Sequence, residues 1–557
     1  MKFKSWKLFA FLARNSRGLV VLTSISGAVA GVSGAALMAH VTIKLMNPNA
    51  PAIPLALQFA GLALLSAIAS TVSGFLSTRL SQRTAYDLRM HLCGQILETP
   101  LRRIEEEGAD RILAVLTQDI TSITAAFLRV PAICTNLAIV AGGVVYLAWL
   151  SMTMLLALIG FLALAVVAYA LAAKRAARYM RLARKEWDAL VKHFRALTLG
   201  AKELKLNRRR SDAFLTESLQ PTTSELRKQG SKGANIYVVL NSWTQTLYFV
   251  IIALILFVVP GFIGNFAGHV LTGYALTVLY MAGPMMLLVS TIPTLSNATV
   301  SLEKVEALGL TLAQPKRLSD EGRAMPGKRI SWHEIELRGI THSYYREREA
   351  SSFTLGPINT TLTRGELVFL VGGNGSGKTT LAKLLCGLYI PESGALLLDG
   401  KPVTDLTRDQ YRQLFSVVFS DFYLFEKLLG LEAKNLDSRA AHYIARLQLE
   451  HKVEVRDGQL STVDLSQGQR KRLALLTAYL EDRHIYIFDE WAADQDPVFR
   501  EIFYYELLPE LKARGKTVVV ISHDDRYYGM ADRILKLDYG QLVEAAEEIE
   551  VLVDAVA

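Results

Sequence analysis

The stretch Leu367-Val-Phe-Leu-Val-Gly372-Gly-Asn-Gly-Ser-Gly377-Lys378-Thr379-Thr380 joins an apolar run, a glycine-rich turn and the start of a helical pattern. In that setting G-x-x-x-x-G-K-[ST] is typical of a phosphate-binding loop, because glycines let backbone N–H groups surround the phosphates. Lys378 is predicted to reach the outer phosphates, and the Thr379 hydroxyl to bind Mg²⁺. A chance glycine-rich turn is the alternative, and the flanking strand and helix count against it. The predicted nucleotide site comprises Gly372, Gly373, Asn374, Gly375, Ser376, Gly377, Lys378, Thr379 and Thr380.

The 557-residue chain divides into two parts of different character. Apolar blocks fill roughly the first half, whereas the remainder has the pattern of an α/β domain. A hydrophobic content of 51% is high for a soluble protein and low for a chain lying wholly in a membrane. Cys93, Cys134 and Cys386 follow neither disulfide nor zinc spacing. The sequence therefore predicts a membrane domain followed by a soluble domain.

Six apolar runs in the first part are each near the ~20 residues needed to cross a bilayer. These runs are Gly18–Met38, Ile53–Leu76, Val130–Leu150, Met152–Ala173, Asn235–Val259 and Val270–Thr294. Residues 1–17 are basic, with apolar residues at near-helical spacing, which predicts a helix lying on the membrane surface. A signal peptide is the alternative, but the apolar run that follows is too long for one.

The connections between these spans differ in charge. Short connections such as Asn47–Ala52 and Pro260–His269 lack Lys and Arg, whereas Ser77–Arg129 and Lys174–Ala234 are basic. By the positive-inside rule, both termini and both long connectors lie in the cytoplasm. Because the placement of basic residues sets topology, nucleic-acid binding is the weaker interpretation of the net charge of +9.

Both long connectors are predicted to be helical and to extend past the bilayer. Their few helix breakers are Pro100, Gly108, Gly200 and Pro221. The turns near Arg102–Gly108 and Leu197–Glu203 are the candidates for contact with the soluble domain. Through such contacts a movement of the soluble domain would be transmitted to the membrane helices.

Polar residues within the predicted spans are concentrated in two places. These are Asn241-Ser-Trp-Thr-Gln245 in the fifth span and Tyr280-Met-Ala-Gly-Pro-Met285-Met286 in the sixth. Intramembrane polar groups usually face a bundle interior or a water-filled cavity. Cargo lining and helix–helix hydrogen bonding both remain open at these positions.

Three further segments of the second part carry candidate chemistry. The strand His484-Ile-Tyr-Ile-Phe-Asp489-Glu490 ends in two acids, of which the first can hold Mg²⁺ and the second can orient or deprotonate water. The strand Thr517–Ser522 is followed by His523 at the edge where open α/β sheets bind ligands. Ser466 and its neighbours precede a helix and form a second candidate anion site. Each of these three segments is weak evidence for a nucleotide site by itself. Their order along the chain after the phosphate-binding loop strengthens the evidence from all three.

Together these residues make the chain resemble an ABC exporter half-transporter, in which six spans precede one ATP-binding cassette. The resemblance implies a membrane α-helical bundle fused to an α/β P-loop NTPase cassette that couples ATP hydrolysis to transport. It places the transmembrane domain at residues 1–294, a linker at 295–329 and the cassette at 330–557. ATP and Mg²⁺ are the cofactors that it implies.

The family's motifs assign roles by position. Tyr344 corresponds to the aromatic residue that stacks on adenine, with Tyr345 as the alternative. Ser466, Gln467, Gly468 and Gln469 correspond to the signature, which reads L-S-Q-G-Q where L-S-G-G-Q is usual. The remaining assignments are Asp489 at the Mg²⁺ site, Glu490 as catalytic base, Asp496 in the D-loop and His523 as the switch histidine on the γ-phosphate.

One position departs from the family pattern. The glutamine expected after the strand Leu414–Phe419 is replaced by Ser420, followed by Asp421. We expect Ser420 or Asp421 to contact Mg²⁺ or water instead. The segment between Ser420 and the signature is also short, which leaves little room for the usual helical subdomain.

A narrower resemblance concerns the cargo. Ser420-Asp-Phe-Tyr-Leu-Phe425 and Asp489-Glu-Trp-Ala-Ala-Asp-Gln-Asp-Pro497 are similar to the bacterial cyclic-peptide exporters. That resemblance implies export of a cyclic or modified peptide, such as a peptide antibiotic, a lipopeptide or a siderophore precursor, across the bacterial cell inner membrane. A lipid or lipopeptide flippase and a membrane-bound regulatory ATPase that transports nothing are the alternatives.

The resemblance to ABC exporters also implies the partners of the chain. In this family each ATP lies between the phosphate loop of one cassette and the signature of another, and one chain carries one of each. The expected partners are a second copy of the chain, the lipid bilayer and a peptide-like small-molecule cargo, with no nucleic acid.

Overall fold

The computed structural model describes residues 17–46, 51–258, 268–308, 331–346, 351–431 and 435–543. Residues 1–16 of the predicted surface helix and most of the predicted linker lie outside the described residues. The chain forms two compact units. Unit 1 comprises Met1–Gln95 with Asp110–Ala313, and unit 2 comprises Ile96–Ala109 with Gln314–Ala557. The short segment Ile96–Ala109 therefore belongs to unit 2, although the chain on both sides of it belongs to unit 1.

Six long helices dominate the described part of the first 308 residues. They are α1 (Arg17–Met46), α2 (Ala52–Glu98), α4 (Ala109–Leu150), α5 (Met152–Leu199), α7 (Arg208–Val258) and α8 (Gly268–Ala307). Each is long and apolar enough to cross a membrane, which confirms the predicted bundle of six spans. Two short helices, α3 (Leu101–Glu107) and α6 (Ala201–Leu206), interrupt the long connectors.

The long helices extend beyond their apolar runs because their sequences contain few breakers. The helices break at Pro100, Gly108 and Gly200, as predicted. The fourth predicted breaker, Pro221, instead lies inside α7, directly after a π-helical turn at Phe214–Leu219. Proline fits there because the extra residue of a π-turn already interrupts the regular hydrogen-bond ladder.

Small residues allow the helices of unit 1 to pack closely. A Cβ on Gly31 of α1 would stand 2.6 Å from the carbonyl oxygen of Thr135 in α4. Gly143 of α4 similarly lies against the sulfur of Met281 in α8. Close backbone approach of this kind is the usual way in which membrane helices associate.

One buried acid joins α4 to the end of α8. Asp119 lies in a π-helical turn (Val115–Asp119) and is 5% exposed. The Ser301 hydroxyl donates to Asp119 Oδ1 at 2.7 Å, and Lys304 Nζ lies 3.6 Å from the same oxygen. The negative charge is thus compensated where it is buried.

The described residues of unit 2 form two main sheets. An antiparallel sheet has the order β2-β1-β4-β5, and a six-stranded sheet has the order β12-β11-β3-β10-β9-β6. The strands are β1 (Glu334–Arg346), β2 (Ser351–Thr363), β3 (Leu367–Val371), β4 (Ser393–Leu398), β5 (Lys401–Pro402), β6 (Phe415–Val418), β9 (Ile485–Asp489), β10 (Thr517–Ile521), β11 (Arg533–Asp538) and β12 (Gln541–Val543). In the larger sheet β6, β9, β10, β3 and β11 run parallel. Strands β3, β9 and β10 are buried throughout. Because they run parallel, their carboxyl ends share one edge of the sheet.

Helices cover this sheet and complete the α/β cassette that the sequence predicts. They are α9 (Lys378–Leu385), α10 (Arg408–Arg412), α11 (Leu436–Arg446), α12 (Gln467–Glu481) and α13 (residues 497–513). Between Ser420 and the signature, the described residues form one helix, α11, and a small hairpin of β7 (Val455–Arg456) and β8 (Gln459–Leu460). Ala440 and Ile444 of α11 are buried in the same core as α12. The short segment therefore still forms a small packed lobe.

Candidate nucleotide site

The phosphate loop lies between β3 and α9, where only glycine fits at two positions. Gly372 has φ of +148°, and a Cβ there would stand 2.1 Å from the carbonyl oxygen of Leu537. Gly377 has φ of +103°, and its Cβ would stand 3.0 Å from the Leu355 side chain. The structure places Gly373, Asn374, Gly375 and Ser376 in this turn, and Lys378, Thr379 and Thr380 at the start of α9. All nine predicted loop residues are thus contiguous at the carboxyl edge of the sheet.

Lys378 is held over the loop from which it starts. Its Nζ donates to the carbonyl oxygens of Gly372 and Gly373, each at 2.9 Å. The side chain is 5% exposed, and burial lowers its pKa, while Glu490 and Asp489 act in the opposite direction. The amine therefore lies inside the cradle, close to the position that phosphate oxygens would occupy.

Asp489 is the best candidate for the Mg²⁺ ligand. Thr379 Oγ1 donates to its Oδ2 at 2.9 Å, and Ser420 Oγ donates to the same atom at 3.4 Å. The other oxygen, Oδ1, is buried and has no hydrogen-bond partner among the described residues. Burial raises the pKa of Asp489, and the hydrogen bond from Thr379 opposes that shift. A free carboxylate oxygen beside two hydroxyls suits a hard cation, which would neutralise charge on the phosphates.

Glu490 and His523 meet at the same edge. His523 Nε2 lies 3.2 Å from Glu490 Oε1, and both side chains are partly exposed. Glu490 has φ of +49°, and its N–H donates to the carbonyl oxygen of Ile521 in β10. The carboxylate is thus open to water and within reach of an imidazole, which is the arrangement a general base requires.

The signature residues form the start of α12. The Ser466 N–H donates to Gln469 Oε1 at 3.4 Å, and Gln467 Nε2 donates to Asp494 Oδ2 at 3.1 Å. At Gly468 a Cβ would stand 2.7 Å from the carbonyl oxygen of Asp494. These contacts place the signature against the turn that follows Glu490.

Asp496 caps helix α13. Its Oδ1 accepts from the Phe499 N–H at 2.9 Å, and its Oδ2 pairs with Arg472 of α12. The hydrogen bond from Phe499 lowers the pKa of Asp496, and Arg472 lowers it further.

Strand β1 contains Tyr344 and Tyr345, the two tyrosines predicted to stack on adenine, but the side chains of both lie outside the described residues.

Sequence reasoning did not find two features near this site. The first is Lys471, a buried lysine between the signature and the Glu490 turn. Lys471 lies between Arg470 and Arg472, so no local pattern distinguishes it from a solvated lysine. The second is the partner of the predicted contact turn near Arg102–Gly108, which no local pattern reveals.

That turn packs on the nucleotide half within unit 2. Lys383 of α9 pairs with Glu105 Oε1 at 2.7 Å, and the Tyr389 hydroxyl donates to Glu105 Oε2. Arg102 pairs with Glu392 at 2.8 Å and donates to the carbonyl oxygen of Ser343 at 3.0 Å. The helix that begins at the phosphate loop therefore also binds the segment between α2 and α4.

Comparison with known proteins gives the family. The model of the ABC transporter transmembrane region matches residues 18–285, and the ABC transporter model matches residues 355–493. The chain is 37% identical over 532 residues to the ATP-binding protein SyrD of Pseudomonas syringae pv. syringae, covering 94% of each protein. The chain belongs to the ABC transporter family, as an exporter half-transporter. This exporter is a multi-pass membrane protein whose cassette binds and hydrolyses ATP to drive transport.

Other similarities are more distant. The exporter is 26% identical over 592 residues to an ATP-dependent lipid A-core flippase of Xylella fastidiosa (strain 9a5c), covering 99% of this chain and 95% of the relative. Its fold matches that of a bacterial Atm1-family ABC exporter with ATP bound, with a TM-score of 0.72, 17% identity and coverage of 98% and 99% of the two chains.

Proposed function

We propose that the exporter works as a homodimer that moves a cyclic or modified peptide out of the cytoplasm. The cargo class is a peptide antibiotic, a lipopeptide or a siderophore precursor. The exporter lies in the bacterial inner membrane with both termini in the cytoplasm. The identity of 37% to SyrD over nearly the whole chain, together with the D-loop and Ser420 motifs, supports this cargo class.

The arrangement of Thr379, Ser420, Asp489, Glu490 and His523 at one sheet edge carries the proposal for ATP hydrolysis. Asp489 and the hydroxyls of Thr379 and Ser420 would hold Mg²⁺, which would neutralise charge on the phosphates, and Lys378 would lie beside the outer phosphates. Glu490 takes the proton of the attacking water, while His523 orients the carboxylate and contacts the γ-phosphate. Tyr344 stacks on the adenine.

A second copy supplies the other half of each site. Ser466, Gln467, Gly468 and Gln469 lie at the start of a 15-residue helix, where N–H groups and the helix dipole favour an anion. Their role is to bind the ATP held on the phosphate loop of the partner chain. Asp496 lies at the same interface between the two chains. Binding of two ATP molecules thus brings the two cassettes together, and loss of the γ-phosphate allows the cassettes to separate.

The segment Ile96–Ala109 transmits that closure to the membrane helices. Glu105 is bound by Lys383, which lies on the same helix as Lys378 and Thr379. A movement of the phosphate-loop helix therefore acts directly on the ends of α2 and α4, and switches the cavity between inward- and outward-facing states.

A lipid or lipopeptide flippase is the second candidate function. The 26% identity to a lipid A-core flippase over the whole length favours it. A flippase would be stimulated by its lipid in reconstituted vesicles, whereas a peptide exporter would release its cargo into the water phase.

Mass spectrometry of the culture medium tests the cargo class. Cells that make the parent protein are compared with cells that make Glu490→Gln, which keeps the protein in the membrane without turnover. We expect a peptide-like molecule to appear outside the first cells only. Identical media, together with a difference in outer-leaflet lipids, would overturn the peptide proposal in favour of the flippase.

A further inference from the structure

Lys471 connects the signature helix to the catalytic turn. It lies on α12 and is 2% exposed. Its Nζ donates to the backbone carbonyl oxygen of Glu490 at 2.7 Å and pairs with Asp494 Oδ2 at 2.7 Å. Its own carbonyl oxygen accepts a hydrogen bond from Trp491 Nε1 at 2.8 Å. One residue therefore binds the turn 490–494 at three points.

The turn is held from its other side as well. Trp491 is 1% exposed and stacks on Phe503 of α13, with ring centroids 4.4 Å apart. Asp494 also accepts from Gln467 of the signature. The turn, the start of α12 and the middle of α13 consequently form one packed block.

The backbone of Glu490 requires this support. Its φ of +49° lies in the left-handed region, which residues with a Cβ avoid. If the peptide after Glu490 were free to rotate, the carboxylate would swing away from His523. The ammonium group of Lys471 fixes the carbonyl oxygen of that peptide, and Asp494 compensates its buried charge.

We infer that Lys471 is a positioning residue for ATP hydrolysis: it holds the Glu490 carboxylate in its reactive place by binding the backbone of Glu490. Lys471 touches neither the nucleotide nor the reacting water. The inference rests on the proposed role of Glu490 as the base, and it adds a physical link between that base and the signature of the same chain.

The test compares two buried lysines of matched chemistry. Lys516 also binds backbone carbonyl oxygens, those of Asp482 and Arg483, and pairs with Asp482. It precedes β10 and so lies at the opposite edge of the sheet. We expect Lys471→Met to lower kcat for ATP about 10- to 100-fold, with KM for ATP and Kd for a non-hydrolysable ATP analogue unchanged. Lys516→Met should keep the parental kcat even if its melting temperature falls equally.

Conservative variants separate positioning from folding. Lys471→Arg keeps a cationic donor and should recover most of the lost kcat. Trp491→Phe keeps the ring but removes the hydrogen bond to Lys471, and should lower kcat less than Lys471→Met does. An unchanged kcat in Lys471→Met, or an equal loss in Lys516→Met, would overturn the inference. Glu490→Gln is measured in the same assay. If Glu490→Gln keeps the parental rate, Glu490 is not the base. If Glu490→Gln loses activity while Lys471→Met stays active, only the positioning role of Lys471 is refuted.

Discussion

Lys383 Nζ lies 2.7 Å from Glu105 Oε1, although 278 residues separate the two in the chain. The Lys383 side chain is 13% exposed and lies about one and a half helical turns from the phosphate loop. Glu105 lies on α3, the short helix between α2 and α4. The pair therefore joins the nucleotide site to the chain that continues into the membrane helices. The proposed coupling within one chain runs through this pair.

Charge reversal tests this route. Glu105→Lys and Lys383→Glu should each abolish export, because each places like charges at the contact. Basal ATP turnover should stay within about threefold, since neither residue belongs to the nucleotide site. The double variant should restore export. Mass spectrometry of exported molecules and ATPase assays of the purified protein measure the two effects, and export that is intact in both single variants would refute the role of the pair.

Replacing Glu490 tests the assignment of the base. Glu490→Gln should bind ATP with parental affinity and lower turnover by at least about 100-fold, because an amide cannot accept the proton of water. A nucleotide-binding titration and a phosphate-release assay measure these quantities. Glu506→Gln is the control, because Glu506 lies on α13 and is exposed. Parental turnover in Glu490→Gln would show that another group is the base.

The buried acid of unit 1 gives a stability prediction. Asp119→Ala leaves the Ser301 hydroxyl without its acceptor, and should destabilise the protein by about 1–3 kcal/mol. Asp110→Ala is the matched control, because its ion pair with Arg195 is largely exposed and should contribute less than about 1 kcal/mol. Thermal unfolding in one detergent compares them. Equal melting temperatures would contradict a structural role for Asp119.

A pH-dependent contribution is expected from Glu510 on α13. The hydrogen bond from Arg446 of α11 lowers the pKa of Glu510, and Arg514 adds to the effect. A lowered carboxyl pKa contributes stability above the pKa of the unfolded chain, near 4.3, and that contribution is lost as the pH falls through the folded value. Glu510→Gln should therefore lower the melting temperature at pH 7 and differ less from the parent at pH 4. If the difference in melting temperature between the parent and Glu510→Gln were the same at both pH values, the effect would come from packing and not from the charge of Glu510.

Local patterns predicted most of the fold. Strands β3, β9 and β10 are short apolar runs that end in Gly372, Asp489–Glu490 and Ser522–His523, so their types and ends could be read directly. Because parallel strands end at one edge, the sequence also placed His523 at the edge where open α/β sheets bind ligands. Its 3.2 Å contact with Glu490 is seen only in the structure. The lengths of the six spans followed from hydropathy, and their extension to residues such as Leu199 followed from the lack of breakers.

The partner residues in contacts between distant segments could not be predicted. The pairs of Asp119 with Ser301 and of Lys383 with Glu105 depend on the path of the whole chain, and no periodicity specifies them. Lys471 was missed for a related reason. A lysine in a helix is ordinarily solvated, and only the tertiary structure shows that its ammonium group is buried against the Glu490 carbonyl.

The most direct test of the account is the ATP turnover of the protein in lipid nanodiscs that hold either one chain or two. In single-chain discs the phosphate loop lacks a partner signature, so we predict ATP binding with turnover at least about 100-fold lower per chain than in two-chain discs. Equal turnover per chain in the two preparations would contradict the claim that two copies close each site.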